Sequence, residues 1–486
     1  MQYPISVILI SYNTALYIEE CLKSIFSQDL ENFELIIIDN ASSDGTTDII
    51  KNYITGKQNV TFIENKENLG GSIAGNTGIK MAKGEYVYLM DSDDIMPQGA
   101  LKALYESAVK TNSDVVIGRA KSLIEGEIRN IKFNFYNIPY CYTGTYKNIK
   151  KCKELLISPF YWGRIYRTKL LLEHNVFMPE NFMFSDMYLN SKALRYAKNI
   201  TVIEHLSYIW RRFKTQDSHV SITSPKNQKR LFNDRLDCYY KCEEIFSGSS
   251  YKKLLRTTRF YNLVRLFLLA KYTTKSEHFA QKYYKKMRKY LHFFSRKQII
   301  NYLQLVNCKY LNIKNKTLCF LIKAKRFDEY LQISNKDFNF ETELKGKYLV
   351  VKKDNRPKGV PFWFLRELPS APNCCTVSNL QETNDSYIFS FCIKSQSKAS
   401  YKLARIIVVD SIGNEIYLTN PKKHGANKYN FAIPKEISQN LESSKNYYIN
   451  VEFLYNYNFC NFNLQNNSKD ILIVKSKEKG FSIMNL

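Results

Sequence analysis

The chain has 486 residues, 44% of them hydrophobic, and a formal net charge of +26. That length and apolar content exclude a disordered chain and leave room for two or three domains with substantial cores. No apolar run approaches the roughly 18 residues of a membrane span; the longest candidate, residues 263–270, is broken by Arg265.

The start, Met1-Gln2-Tyr3-Pro4, has no basic segment and leads directly into a strand, so no secretory signal is read there. The 11 cysteines are odd in number and include no CxxC pair. Cys238 and Cys242 have no neighbouring Cys or His pair to complete a zinc site, so free buried thiols in a reducing cytoplasm are expected.

Residues 1–120 alternate between strand and helix. Residues 5–10 read as a strand and 15–26 as a helix with Ile18, Cys21, Leu22, Ile25 and Phe26 on one face. A buried strand over 35–38 follows, then a helix over 48–54 with Thr46 or Thr47 as its N-cap. Next come a strand over 60–64 and a Gly-spaced helix over 72–82 that ends at Gly84 as a C-terminal cap. A strand over 86–90, a helix over 100–110 and a strand over 115–118 complete the pattern. Such alternation specifies an α/β fold with a mostly parallel, doubly wound sheet.

Residues 225–335 read as a helical connector, with basic amphipathic helices over 235–246, 252–270 and 278–294. From about residue 348 short strands such as 387–391, 405–409 and 447–451 alternate with turn formers, which suggests a small β-sandwich. The expected domains are thus 1–224, 225–340 and 341–486. Their net charges are +1, +18 and +7 in that order, so the surplus lies outside the first domain. A basic connector suits an acidic polymer or an anionic membrane surface, although abundant Lys, Asn, Ile, Tyr and Phe also follow from AT-rich coding. No nucleic-acid recognition motif accompanies the charge, so no nucleic-acid partner is expected.

The most informative run is Gly84-Glu85-Tyr86-Val87-Tyr88-Leu89-Met90-Asp91-Ser92-Asp93-Asp94. A short apolar strand here ends in three carboxylates within four residues. In open α/β sheets ligands bind beyond the carboxyl ends of strands, where carboxylates can hold a hard cation that clamps phosphates. Like charges this close repel, and a bound ion is the simplest device to hold them together. Two other strands end in polar loops, Ser11-Tyr12-Asn13 and Asp39-Asn40-Ala41-Ser42-Ser43-Asp44-Gly45-Thr46. A carboxylate such as Asp39 can accept from a nucleobase imide or a ribose hydroxyl.

Taken in order, these stretches resemble the family-2 inverting glycosyltransferases. Val7-Ile8-Leu9-Ile10-Ser11-Tyr12-Asn13 is similar to that family's opening, and the segment from Ile36 to Thr46 to its second signature. Asn68-Leu69-Gly70-Gly71, Asn76-Thr77-Gly78-Ile79 and the run from Gly84 to Asp94 complete the set, which covers about residues 4–220. The resemblance implies a GT-A fold that binds a nucleotide-sugar, with a UDP-sugar as the expected donor and Mn2+ or Mg2+ on its diphosphate. Carried over, Tyr12 and Asp39 would contact the nucleoside, Asn68 would help close its pocket, Asp91 would face the ribose and Asp93 would ligate the metal. The family often has Arg where this chain has Gly75, so a phosphate or sugar contact is either missing or supplied by Arg211, Arg212 or Lys214; Arg212 is the candidate.

The family takes its general base from an acidic pair opening a later helix. Here the stretch from Pro179 to Leu189 keeps Asp186 as the expected base, with Ser185 in place of the first acid. The plainer reading is that Ser185 or Asp186 caps the helix. His219 would be a further metal or phosphate ligand, or an ordinary loop histidine. The segment from Tyr161 to Arg167 would border the acceptor groove, though Trp162 and Tyr166 suit a core equally.

The stretch over 165–206 and the tail layout are similar to wall teichoic acid glycosyltransferases. That resemblance implies a polymeric anionic acceptor, with capsule or another surface polysaccharide as the alternative, and work at the cytoplasmic side of the membrane. The tail would bind polymer, mediate homo-oligomer formation or stabilise the connector. A degenerate transferase domain that only binds anionic polymer or membrane is the competing reading, favoured by Ser185 and Gly75.

Overall fold

A computed structural model of the chain describes residues 3–131, 143–180, 182, 184–212 and 228–252, then the helices and strands named below with short flanking stretches. It divides into two compact units, Met1–Tyr283 and Tyr284–Leu486.

The first unit is built on a nine-stranded mixed sheet. Strand β1 (Tyr3–Ser11), helix α1 (Ile18–Phe26), β2 (Glu34–Asp39), α2 (Thr46–Ile54), β3 (Val60–Glu64), α3 (Gly71–Met81) and β4 (Gly84–Asp91) follow one another. The first four strands lie parallel in the order β3-β2-β1-β4. The chain therefore runs outward from β1 to β3, then returns to the other side of β1. That reversal opens a crevice beyond the ends of β1 and β4, where α/β sheets take ligands.

Beyond α4 (Ala100–Thr111) the pattern changes. β5 (Val115–Ile124), β6 (Glu127–Asn130), β7 (Gly144–Tyr146) and β8 (Arg164–Arg167) precede α5 (Thr168–Glu173), α6 (Ser185–Tyr196) and β9 (Ile200–Arg211). β8 inserts antiparallel between β4 and β5, which makes the sheet mixed rather than wholly parallel. It carries the segment just before it, Tyr161 included, to the end of β4.

The central strands are buried throughout, as strands covered on both faces must be. All six residues of β2 and positions 5–11 of β1 are shielded from solvent. In β4 the hydroxyl groups of Tyr86 and Tyr88 are satisfied inside the core, donating to the carbonyl oxygens of Ser113 at 2.8 Å and Ser207 at 2.6 Å.

Two local expectations are corrected. Helix α2 is capped by Gly45 at φ 93°, not by a threonine. Thr46 is instead the first helical residue, and its hydroxyl oxygen accepts the Thr14 N–H at 2.8 Å. Gly84 is not a helix cap either, because α3 ends at Met81 with Ala82 as its cap. Gly84 opens β4, where its backbone lies so close to β1 that an added Cβ would sit 2.4 Å from the Ser6 nitrogen.

Helix α7 (Gln228–Glu244) packs on α6, and α8 (Glu277–Leu291) follows. The expected helix over 252–270 lies largely outside the described residues. In the second unit α9 (Ile313–Lys323) packs on α10 (Phe327–Ser334). The strands β10 (Thr342–Lys345), β11 (Tyr348–Val351) and β12 (Arg366–Glu367) form a small antiparallel sheet. A ten-stranded sheet spans β13 (Cys375–Glu382) to β22 (Gly480–Asn485), with the expected strands over 387–391, 405–409 and 447–451 inside it. No described helix is long and apolar enough to cross a membrane.

The Gly84 contact gives a direct test. Gly84→Ala places a methyl against β1 backbone, which cannot yield as a side chain does, and should cost about 1–3 kcal/mol or more. A lowered midpoint in denaturant unfolding checks it; an unchanged midpoint contradicts the packing.

Candidate active site

Three strand ends build the crevice. At β1 the chain turns through Asn13 in a left-handed conformation, φ 50°. The Asn13 N–H donates to Ser42 Oγ at 2.8 Å, and the Asn13 side chain accepts from the Ser43 N–H at 2.9 Å. Asp39, wholly buried at the end of β2, accepts from the Ser42 N–H at 2.8 Å and the Ser42 hydroxyl at 2.6 Å. Asp39 thus shapes the loop, and its oxygens keep lone pairs for a ligand. Tyr12 projects beside them, 47% exposed. Asn68 is exposed before α3, where its side chain accepts from the Gly70 N–H at 2.9 Å.

At the third strand end the expected carboxylate cluster is held by the protein itself. Asp91 accepts from the hydroxyl of Tyr161. Asp94 is turned inward, 1% exposed, and accepts from the Tyr208 hydroxyl and from the Arg211 N–H at 2.6 Å. Ser92 is buried, with its hydroxyl 2.9 Å from that of Thr14. The Arg211 guanidinium donates to the Asp93 carbonyl at 2.8 Å and to Glu20 at 2.5 Å. These hydrogen bonds orient Asp91 and Asp94, while the three acids still repel one another. Asp94 is a structural acid.

Electrostatics separate the remaining two carboxyls from ordinary ones. Burial, reinforced by the neighbouring Asp93 charge, pushes Asp91 up to about 7 against the pull of the Tyr161 hydrogen bond. Burial also raises Asp93, while Arg211 opposes the shift. Carboxyls whose ionisation is penalised in this way are ones that a nearby cation would stabilise as anions. Among the described residues no group of three or more His, Cys, Asp or Glu side chains forms a complete cage. A magnesium-like ion on a phosphate substrate needs only one or two protein carboxylates. Asp93 and the second oxygen of Asp91 fit that requirement.

Asp186 stands in the first turn of α6, where its side chain accepts from the Met187 N–H at 2.8 Å. Its charge is among the causes that raise the Tyr161 phenol, after burial and the contact with Asp91. Tyr161 therefore lies within electrostatic reach of both acids. Ser185 does not cap the helix: its hydroxyl is buried 2.7 Å from that of Ser72 on α3. Gly75 faces the same region, and a Cβ there would meet Met178 Cε at 2.2 Å. The position where the family often has Arg is thus filled by Met178.

Trp162 and Tyr166 are core residues. Trp162 stacks between Phe160 and Tyr208, with ring centroids 4.1 and 4.5 Å away. Tyr166 is fully buried. Arg212 lies over the Trp210 ring at 5.0 Å, while its neighbour Arg211 reaches the carboxylate loop. His219 and Lys214 lie outside the described residues. Sequence reasoning named Tyr161 only as part of a groove-bordering segment and gave Tyr208 no role; no local signal marks their contacts with the acids, because those partners are 70 and 114 positions away.

The first unit is an α/β domain with a mixed sheet whose strand ends gather polar and acidic side chains. Residues 6–171 match the model of Glycosyl transferase family 2. Among curated relatives, glycosyltransferase GlyA of Streptococcus pneumoniae is 29% identical over 224 residues, covering 44% of this chain and 32% of that protein. The poly(ribitol-phosphate) beta-N-acetylglucosaminyltransferase TarP of Staphylococcus aureus is 39% identical over 132 residues, 26% of this chain and 39% of TarP. The chain thus spans about a third of the length of these relatives. The S. aureus TarS crystal structure matches with TM-score 0.53 at 16% identity, covering 99% of this chain and 85% of that one. Its residues 1–349 in complex with UDP-GlcNAc match with TM-score 0.55 at 20% identity, covering 74% and 98%. At those identities the likeness is one of fold.

Tyr208→Phe should destabilise the first unit by about 1–3 kcal/mol, since it strips a hydrogen bond from the buried Asp94 carboxyl. Tyr12→Phe, at an exposed position, should leave stability within about 0.5 kcal/mol. Denaturant titration of both variants checks the contrast; equal effects contradict it.

Proposed function

We propose that the chain is an inverting glycosyltransferase that moves a sugar from a UDP-sugar to a hydroxyl of a polymeric, anionic surface glycan. The observation that carries the reading is the convergence of Asp91 and Asp186 on Tyr161, with Asp93 beside Asp91, in the segment that matches family 2. Tyr12, Asp39 and Asn68 would border the nucleoside. Asp93 and Asp91 would hold a divalent cation, which when bound offsets charge on the leaving diphosphate.

Asp186 would act as general base. It takes the proton of the acceptor hydroxyl as that oxygen bonds to the anomeric carbon, while the bond from that carbon to the diphosphate oxygen breaks on the opposite face. Arg211 holds the Asp93 backbone in register for this geometry. A UDP-sugar donor is favoured by the UDP-GlcNAc complex of TarS, and a phosphate-rich acceptor by the poly(ribitol-phosphate) relatives together with the +18 charge over 225–340.

Ser185 and Gly75, the two departures that favour a degenerate polymer-binding domain, are both used in packing around α6. Neither position is vacant. UDP release from a panel of UDP-sugars with Mn2+ and poly(ribitol phosphate) separates the readings. Turnover is expected for the wild type and should fall about 10²–10⁴-fold in Asp186→Asn and in Asp93→Ala. Near-normal turnover in both variants sinks the mechanism, and no UDP release from the wild type with any donor favours the binding protein.

A further inference from the structure

Helix α3 bears Ser72, Gly75 and Asn76 at spacings of three and four, so all three share one face. Every one of them meets the segment that leads into α6. The Asn76 amide donates to the Met178 carbonyl at 2.8 Å and accepts from the Met178 N–H at 2.8 Å, a paired bond to backbone. At the first residue of α6, the Ser185 hydroxyl lies 2.7 Å from that of Ser72. Gly75 lies between them and leaves the room that Met178 occupies. All four polar groups are buried, so each bond is shielded from competing water.

The same helix packs against β1, where a Cβ on Gly75 would lie 3.1 Å from Ile10 Cδ1, one residue before the crevice-lining end Ser11-Tyr12-Asn13. α3 therefore touches the donor side through β1 and the base side through residues 178 and 185. We infer that Ser72, Ser185 and Asn76 are positioning residues: they bolt the start of α6 to α3 and set the distance of Asp186 from the donor's anomeric carbon. This rests on the reading of Asp186 as base. It also gives Ser185 a purpose. Its hydroxyl is spent on the bolt, which leaves Asp186 as the single acid of that turn.

The experiment takes the full chain with the UDP-sugar that the wild type turns over. Wild-type turnover is measured first, and its absence would count against the enzyme reading itself rather than the bolt. Ser72→Ala and Ser185→Ala are then compared with the double variant, measuring kcat, donor KM, UDP affinity and melting temperature. Each single variant should lower kcat about tenfold or more, as small misplacements of a base do, with donor KM and UDP affinity within about twofold. The double variant should lose no more than the worse single one, because both remove the same bond. Ser185→Thr, which keeps a hydroxyl, should recover most of the loss. Independent, multiplying losses in the two singles, a kcat unchanged in both, or losses that follow only the melting temperature would overturn the inference. Asn76→Asp keeps the acceptor for the Met178 N–H and loses the donor; a kcat equal to wild type in it and in Ser72→Ala would also overturn it.

Discussion

Crowding Asp91, Asp93 and Asp94 into the end of one buried strand sets a repulsion that the rest of the first unit is arranged to contain. Each acid is met by a different distant element. Tyr161, just before β8, donates to Asp91; Tyr208 and the Arg211 N–H, both on β9, donate to Asp94. The antiparallel insertion of β8 beside β4 follows the same logic, since it brings the Tyr161 segment to the place where a donor is required. Asp93 is steadied by Arg211, which donates to its carbonyl and whose charge acts on its carboxyl, and by its own backbone N–H.

Around this centre the aromatic content of the chain finds its use. Phe160, Trp162 and Tyr208 stack in series, which fixes the Tyr208 ring and with it the hydroxyl that holds Asp94. Gly163 lies at φ 68°, and a side chain there would press on Tyr208 Cβ at 3.2 Å. A rigid stack in the core thus sets the geometry of a polar loop at the surface, which is how packing reaches chemistry in this domain. On the opposite flank α3 does the corresponding work for Asp186.

The strand ends were legible in the sequence because they are local. A buried apolar run followed by Asp or Ser names a strand and its crevice together, and Asp39, Asp91 and Asp93 all lie where that rule puts them. The contacts that decide what each acid does were not legible, because Tyr161 and Tyr208 are joined to the acids only by the sheet order. That Arg211 is the arginine that reaches the carboxylate loop was also hidden, because Asp93 lies far from it in sequence. Gly84 misled for a related reason. Glycine after a helix is a common cap, whereas here it serves the close approach of β4 to β1. In the same way, Ser185 resembled a cap until its partner on α3 was known.

The central claim is the proposal that Asp93 holds a cation on a nucleotide diphosphate. Calorimetric titration of UDP into the full chain, with and without Mn2+, tests it for the wild type and for Asp93→Asn. The account predicts that Mn2+ tightens UDP binding by about tenfold or more in the wild type and scarcely at all in Asp93→Asn. Equal tightening in the two proteins, or none in the wild type, would contradict it.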